Sequence, residues 1–535
     1  MAVETLDTTL RDGAQAAGLS FSVGDKLDII ALLDSFGIDL IECGNPYSNP
    51  KDRQLFKAAA KLSLGHARIC AFGQTRKKGC KAQDDENLLA MLDSQAPVVS
   101  LVGKASRLHV AAVLQATMEE NLSMIHSSVS FLTQEGRSVY FDAEHFFDSY
   151  KSDAHYAMAC IEAALEAGAE KAVLCDTNGA ALPGYAESVV REASRAFPGK
   201  IGVHFHDDRA MAAANTVMSA LAGASHIQGT FNGFGERCGN ASLSTALPIL
   251  MEEAPNLCPP VKMKDLTRTA RAIAKIADAP LPATAPFVGE NAFSHKGGLH
   301  VDAMQKLKGS YEHVDPKSVG NKHRYLLSDA SGRGAASEIC IRLFGERGGK
   351  QGPYTAKLLE TVKAKEADGY QYEDAEASLE LLALQAIGRL NPPYAVELYR
   401  VIGEKAIGSK NNVASAIVKI RVGDKSEIAA AEGNGPVHAL DAALRRALES
   451  FFPSLKDLYL SDYRVRVINP ESASAAKVRV VIKSDTHSGI GSFSTVGVST
   501  DVVDASFKAL LDSFAFHLFR NEKGGENHEM DAASG

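Results

Sequence analysis

The sequence predicts an α/β fold that opens with a closed (β/α)8 barrel. Through the first 255 residues, short apolar runs alternate with amphipathic segments of helical length, a pattern typical of parallel βα units. Eight such units in about 250 residues have the count and size of a TIM barrel. An open doubly wound sheet is the alternative, because the number of strands alone does not exclude it.

Each apolar run is expected to form one barrel strand. The eight runs, in chain order, are Val3–Asp7, Leu40–Gly44, Arg68–Phe72, Val98–Val102, Ser138–Ala143, Ala172–Asp176, Ile201–His206 and His226–Phe231. Helices are expected between them, for example at Val23–Phe36, Ala154–Ala167, Tyr185–Ala196 and Met211–Ala222.

The barrel is expected to end at a proline-rich stretch. Pro280, Pro282 and Pro286 lie within seven residues of one another, and prolines at this density break helices. A mostly helical linker subdomain is predicted to follow, with helices over residues 354–408.

The last 120 residues contain an internal repeat. A strand–strand–helix unit occurs twice, with Asp441 and Asp504 in register, which predicts a compact α+β module for dimerisation or for sensing a small molecule. We therefore expect a barrel at 1–285, a linker at 286–412, a C-terminal regulatory domain of two repeated units at 413–520 and a disordered tail at 521–535.

The composition excludes several classes of protein. The 535 residues include 57 basic and 65 acidic side chains, for a formal charge of −8, which argues against nucleic acid as a partner. There is no run of eighteen apolar residues and no secretory signal at the N-terminus, so we expect a cytoplasmic protein without a membrane partner. Eight cysteines without a CxxC pair are typical of reduced thiols.

The candidate chemistry lies where the predicted strands end, because active sites of such barrels lie at the C-terminal ends of the strands. His204 and His206, at the end of the seventh strand, are two residues apart and therefore point to the same side. Asp12 follows the first strand and is a possible third ligand. Two imidazoles and one carboxylate leave open positions on a metal, as catalytic sites require.

Other polar residues at the strand ends extend this candidate site. Arg11 is suited to binding a carboxylate or stabilising an oxyanion. Glu144 and Asp142 share a face of the fifth strand, and the alternation of side chains does not choose between them as a base. Candidate substrate or metal contacts are Asp176, Thr177 and Asn240, whereas Cys238 is a weaker candidate nucleophile, because nothing in the sequence lowers the pKa of its thiol.

Three barrel motifs together resemble the DRE-TIM metallolyase superfamily. They are LDTTLRDGAQ from Leu6, HFHDD from His204 and GFGERCGN from Gly233. Within that superfamily the chain is similar to the isopropylmalate, homocitrate and citramalate synthase family, and most of all to its citramalate synthase branch. Further segments that carry this similarity are SNPKD, AFGQTRKKG, FDAEHFFDSYKSD, SHKGGLH and YEHVDP, and the repeat after residue 413 resembles the regulatory dimer domain of the family.

The resemblance implies a role for each candidate residue. It implies Arg11 as the group that stabilises the enolate and carbonyl oxygens, and Glu144 as the general base. His300 and Tyr311 match a catalytic subdomain that often reaches the active site of the other subunit. The implied metal ligands are Asp12, His204, His206 and Asn240, and the implied substrate contacts are Arg11, Gln15 and Thr177.

The resemblance also implies an activity, namely metal-dependent condensation of acetyl-CoA with pyruvate and hydrolysis to (R)-citramalate and CoA. This is the first step of a pyruvate route to isoleucine. The implied cofactor is a divalent ion (Mn, Mg, Zn or Co), and the implied partners are a second copy of the chain and isoleucine or leucine at the C-terminal domain. The run Glu42–Tyr47 departs from the branch pattern beside the keto-acid pocket. Alternatives are therefore 2-isopropylmalate or homocitrate synthesis with another 2-oxo acid, and, further off, 3-hydroxyacyl-CoA cleavage.

Overall fold

The computed structural model describes residues 2–328, 333–344, 352–390, 392–404, 413–487 and 491–532. The described chain forms two compact units. The first contains the residues up to Phe293 together with Val314–His323, and the second contains Ser294–His313 and the chain from Arg324 onwards. No described helix is both long and apolar enough to cross a bilayer.

The first unit is the predicted closed barrel. All eight strands are parallel, and β1 pairs with both β2 and β8, so the sheet has no free edge. This closure confirms the (β/α)8 fold and excludes the open sheet. The strands are β1 (Glu4–Asp7), β2 (Leu40–Glu42), β3 (Arg68–Gln74), β4 (Val98–Lys104), β5 (Ser138–Glu144), β6 (Lys171–Asp176), β7 (Ile201–Phe205) and β8 (His226–Gly229).

Helices cover the outside of the barrel, and local signals set their ends. Ser22 and Asp25 form a reciprocal capping box at the start of the first helix, and Gly37 ends that helix with a φ of 107°. The helices are α1 (Val23–Phe36), α2 (Pro50–Ala59), α3 (Glu86–Asp93), the short α4 (Arg107–His109), α5 (Met118–Gln134), α6 (Phe146–Glu166), α7 (Pro183–Ala196), α8 (Ala212–Leu221), α9 (Leu243–Glu253) and α10 (Leu266–Ile276).

Helix α6 begins earlier than its sequence pattern predicts. The pattern places the helix start at Ala154, whereas the helical backbone begins at Phe146 and is interrupted at Asp153, whose φ is −153°. Because the Asp153 carboxylate accepts a hydrogen bond from the backbone N–H of Tyr156, at 3.0 Å, it acts as a cap inside the helix. The predicted start is therefore the start of the second part.

A polar cluster centred on Glu4 lies at the end of the barrel where the strands begin. Its carboxylate accepts hydrogen bonds from Tyr140 (2.8 Å), His226 (3.1 Å) and Arg68 (3.1 Å). Above it lies a small apolar layer, separate from the larger core between strands and helices, formed by Leu6, Leu40, Cys70, Val98 and Tyr140. The Glu4 cluster and this layer thus fill one end of the barrel.

The second unit contains short elements, a group of helices and two three-stranded antiparallel sheets. The early elements are β9 (Ser294–His295), α11 (Gly298–Lys306), β10 (Arg324–Tyr325), α12 (Arg333–Phe344), α13 (Pro353–Ala367) and α14 (Glu376–Ala386). The two sheets and their helices are β11 (Ala395–Glu404), β12 (Val413–Val422), β13 (Lys425–Gly433) and α15 (Pro436–Leu448), then β14 (Leu458–Val467), β15 (Val478–Thr486), β16 (Phe493–Ser499) and α16 (Val502–Ala532).

The repeat is confirmed, but each copy has one more strand than predicted. Residues 395–404 form β11, so the prediction of helix throughout 354–408 is wrong there. A register shift interrupts β11 between Val396 and Leu398, and the matching strand β14 has one between Leu460 and Asp462. Each irregularity breaks the two-residue alternation that identifies a strand in a sequence.

The predicted domain boundaries remain predictions. Helix α16 is continuous as far as Ala532, through part of the segment expected to be disordered, and residues 533–535 lie outside the described chain.

Candidate active site

A cavity of about 200 Å³ opens at the C-terminal ends of the barrel strands. Its position is the one expected for the active site of a (β/α)8 barrel. The cavity brings together most of the residues that the sequence singles out. It is lined by Arg11, Asp12, Gln15, Phe72, Val102, Asp142, Glu144, Cys175, Thr177, His204, His206, Glu236 and Arg237.

Asp12, His204 and His206 form a compact cluster with the geometry of a metal site. The Oδ2 atom of Asp12 lies 3.4 Å from His204 Nε2 and 3.9 Å from His206 Nε2, and the two Nε2 atoms are 3.4 Å apart. All three residues are buried. Asp12 follows β1, and the two histidines lie at the end of β7 and directly after it, almost 200 positions further along the chain. These three residues therefore present three ligand atoms to one point.

The environment of the cluster prepares these atoms for a cation. Although burial opposes ionisation, Arg11 and His204 hold the pKa of Asp12 well below its ordinary range. Burial and the neighbouring His204 lower the pKa of His206 to about 4. A carboxylate and a neutral imidazole are the forms that bind a divalent metal.

A second layer of hydrogen bonds orients His204. The Nδ1 atom of His204 lies 3.0 Å from Gln228 Oε1, and Gln228 Nε2 donates to Asp142 at 3.0 Å. The amide oxygen of Gln228 can only accept, so Nδ1 carries a proton, and Nε2 is the nitrogen that remains to bind a metal. Ser100 donates to the other oxygen of Asp142, which completes the chain.

Asn240 lies beside the cluster. It forms an isolated backbone bridge with His206, and its Nδ2 donates to the carbonyl of Phe234 at 3.1 Å. Among the described residues, its Oδ1 is buried without a hydrogen-bond partner, as is Nδ1 of His206. A buried acceptor without a donor is unfavourable, and a cation in the cluster is one group that would satisfy Asn240.

Arg11 is held in the cavity by three neighbours. Its Nε donates to Glu42 at 2.6 Å, its Nη2 lies 3.6 Å from Asp12, and its guanidinium stacks 4.0 Å from the centre of the Phe72 ring. Although burial opposes it, Glu42 and Asp12 raise the pKa of Arg11. The side chain is therefore a fixed cation with its remaining N–H groups available to a ligand.

The charges in the cavity favour a bound cation. One buried guanidinium faces three buried carboxyl groups, those of Asp12, Glu42 and Asp142. Burial raises the pKa of Glu42 even beside Arg11. Together with the unsatisfied oxygen of Asn240, this excess of carboxyl groups fits a divalent ion held by Asp12, His204 and His206.

The structure distinguishes the two carboxylates at the end of β5. Both oxygens of Asp142 are engaged, by Ser100 and Gln228. Glu144 lies at the strand end and lines the cavity, where its Oε2 pairs with Lys104. Glu144 is therefore the better placed of the two to exchange a proton with a ligand.

The remaining sequence candidates differ in their surroundings. Thr177 lines the cavity, and its hydroxyl accepts a hydrogen bond from the backbone of His145 at 2.9 Å. Asp176 is occupied by the N–H groups of Ala180 and Ala181, which indicates a structural role. Cys238 is exposed and is not among the lining residues.

His300 and Tyr311 belong to the second unit, where their rings stack with centres 4.1 Å apart. Their role in catalysis remains a prediction.

Three residues of the site were not identified as functional from the sequence. Glu42 is the last residue of the short buried strand β2, and Gln228 lies within the short buried strand β8. Lys104 is the last residue of β4. A charged or amide side chain in a run that is otherwise apolar was the available signal. Their partners could not be assigned, because strand register is not readable from one sequence.

Comparisons with known proteins agree with the fold and the domain order. The HMGL-like family model matches residues 2–273, a homocitrate synthase post-HMGL domain-like model matches 287–343, and a LeuA allosteric (dimerisation) domain model matches 373–517.

Full-length relatives cover nearly the whole chain. A protein of Aquifex aeolicus named (R)-citramalate synthase is 43% identical over 523 residues, which are 97% of this chain and 98% of the relative. One of Geobacter sulfurreducens with the same name is 42% identical over 530 residues, again 97% and 98% of the two chains. A 2-isopropylmalate synthase of Shewanella amazonensis is 29% identical over 513 residues, 94% and 93% of the two chains.

Proposed function

The chain belongs to the HMGL-like family, on the branch of the (R)-citramalate synthases, and on this basis we propose that it condenses acetyl-CoA with pyruvate and hydrolyses the product thioester to (R)-citramalate and CoA. The observation that supports this most strongly is the cluster of Asp12, His204 and His206 at the mouth of a barrel that also presents a fixed guanidinium and a free carboxylate oxygen.

Asp12, His204 and His206 would hold the divalent ion, with Asn240 as a further contact. When bound, this ion polarises the carbonyl of a 2-oxo acid. Arg11 binds and orients the oxygens of the substrate and compensates the negative charge that develops on them. Thr177 and Gln15, which line the same cavity, contact the carboxylate of the 2-oxo acid.

Glu144 is the general base. It takes a proton from the methyl group of acetyl-CoA, and the electron pair left on that carbon forms the enolate, which attacks the ketone carbon of pyruvate. Arg11 stabilises the oxyanion as it forms. Water then cleaves the thioester with release of CoA, a step in which we propose that His300 and Tyr311 take part.

The size of the cavity favours a small 2-oxo acid. Its volume is about 200 Å³, below the range of roughly 300–1,000 Å³ common for larger ligands. The apolar part of its lining is provided chiefly by Phe72 and Val102.

The C-terminal domain is proposed to dimerise the protein and to bind an end-product amino acid, isoleucine or leucine. The match to the LeuA allosteric (dimerisation) domain over residues 373–517 supports this proposal. The reaction would then be the first step from pyruvate to isoleucine, carried out in the cytoplasm.

A panel of 2-oxo acids tests the proposed function. The purified protein is incubated with acetyl-CoA, a divalent metal and pyruvate, 2-oxoisovalerate or 2-oxoglutarate, and released CoA is measured with a thiol reagent. We expect CoA release with pyruvate, removal of activity by a chelator, and inhibition by isoleucine or leucine. Faster CoA release with 2-oxoisovalerate would instead assign 2-isopropylmalate synthesis, and no release with any of the three acids would refute a condensing enzyme.

A further inference from the structure

We propose that Lys104 is the positioning residue of the general base, and that its ammonium group holds one carboxylate oxygen of Glu144 in place while the second oxygen takes the substrate proton. The proposal rests on the proposed function. It adds a residue that neither the sequence motifs nor the comparisons assign.

The strand register places the two side chains together. Strands β4 and β5 are parallel neighbours, and Lys104 pairs with Glu144 at the end of both. Directly opposite residues of neighbouring strands point to the same face. The Nζ atom of Lys104 contacts Oε2 of Glu144, and each side chain is less than one quarter exposed.

The backbone of Lys104 is fixed by a hydrogen bond at the end of β4. Its carbonyl accepts a hydrogen bond from Asn121 Nδ2 at 2.8 Å, and the same amide group donates to the hydroxyl of Tyr156 at 3.0 Å. Asn121 is on α5 and Tyr156 on α6. The helices that cover β4 and β5 thus fix the end of the strand that supplies the lysine.

The pairing leaves Glu144 free to react. Glu144 lines the cavity, whereas Lys104 is not among its lining residues. No hydrogen bond within the described part of the chain involves Oε1 of Glu144. One oxygen is therefore held and the other is available for the proton.

The neighbouring histidines do not replace Lys104 as the cation beside Glu144. His109 and His145 stack face to face with centres 3.9 Å apart and planes 8° apart, and Asp148 lies 3.7 Å from His145 Nδ1. Burial and His109 lower the pKa of His145. Within the part of the chain that the structure describes, Lys104 is the basic side chain that forms an ion pair with Glu144.

The step itself is a proton transfer. The C–H bond of the acetyl methyl group breaks, its electron pair remains on the acyl donor as the enolate, and an O–H bond forms at Oε1 of Glu144. Lys104 keeps its protons throughout. It acts through Glu144 and does not touch the substrate.

The test uses Lys104→Met and Lys104→Arg in the full-length, metal-loaded protein, with Lys57→Met as a matched control, because Lys57 is exposed on α2. CoA release with pyruvate is measured from pH 6 to 9. Exchange of the acetyl-CoA methyl protons with deuterated water, in the presence of the unreactive analogue oxamate, isolates the proton transfer.

For Lys104→Met we expect kcat and the exchange rate to fall at least tenfold and the KM for pyruvate to stay within twofold. Lys104→Arg should recover most of the activity, and Lys57→Met should match the wild type. If Lys104→Met does not fold, Lys104→Gln, which keeps a polar side chain of similar reach, is measured in its place.

Two results would overturn the proposal. One is a Lys104→Met or Lys104→Gln variant with the wild-type rate; the other is a loss of rate that Lys104→Arg does not rescue. Both are distinct from failure of the proposed function, in which the wild-type protein itself releases no CoA.

Discussion

Replacing Gln228 by Leu should weaken divalent-metal binding by about 10- to 100-fold, although Gln228 is not itself a ligand. Its Oε1 accepts the proton of His204 Nδ1 at 3.0 Å, which keeps the lone pair of Nε2 directed at Asp12 and His206. Without this acceptor the His204 ring is free to rotate or to carry its proton on Nε2. Either change removes a ligand from the cluster for part of the time.

The magnitude follows from two separate contributions. A loss of 10- to 100-fold in metal affinity corresponds to about 1.4–2.8 kcal/mol of binding free energy. Separately, the mutation removes the donor to Asp142 Oδ1, at 3.0 Å, and an unsatisfied buried acceptor costs about 1–3 kcal/mol of folding free energy. Ser100 still donates to the other oxygen of Asp142, which places the second contribution at the lower end of its range.

The two contributions are measured independently. Calorimetric titration of metal-free protein with Mn²⁺ gives the affinity, and denaturant unfolding of the metal-free protein gives the stability. Gln54→Leu is the control, because Gln54 is an exposed glutamine on α2. If Gln228→Leu binds Mn²⁺ as tightly as the wild type while its metal-free form is less stable, then orientation of His204 by Gln228 does not contribute to the metal site.

Three further changes test other parts of the molecule. Glu144→Gln should lower turnover by about 10²- to 10⁴-fold with pyruvate affinity retained, and unimpaired turnover would exclude Glu144 as the base. His204→Ala should lose bound metal and CoA release together, as metal analysis and the thiol assay report, and a metal-free active variant would contradict its assignment as a ligand. Although burial opposes it, hydrogen bonds and charge from His226, with help from Tyr140, lower the pKa of Glu4 to about 2 from its ordinary 4.5. Ionised Glu4 therefore stabilises the fold above pH 4.5, and this contribution is lost as the pH falls towards 2. Glu4→Gln should therefore make the free energy of unfolding depend less on pH in that interval. An unchanged pH dependence would count against the Glu4 cluster.

The local sequence pattern was sufficient to predict an element where that element carries its own alternation or capping signals. The eight strands were readable because each is a short buried run between helices, and α1 was readable because a capping box and a terminal glycine fix its ends. That His204 and His206 lie together was predictable because alternation along a strand places them on one side. Strand β11 was missed because its register shift breaks the same alternation.

The sequence by itself determined the order of the elements and the chemical groups available at each strand end. Only the tertiary structure decided which of those groups meet. The contacts between Arg11 and Glu42 and between Lys104 and Glu144 depend on how neighbouring strands are staggered in the closed sheet. Stagger is set by the closure of the barrel as a whole, so no segment of the chain encodes it alone.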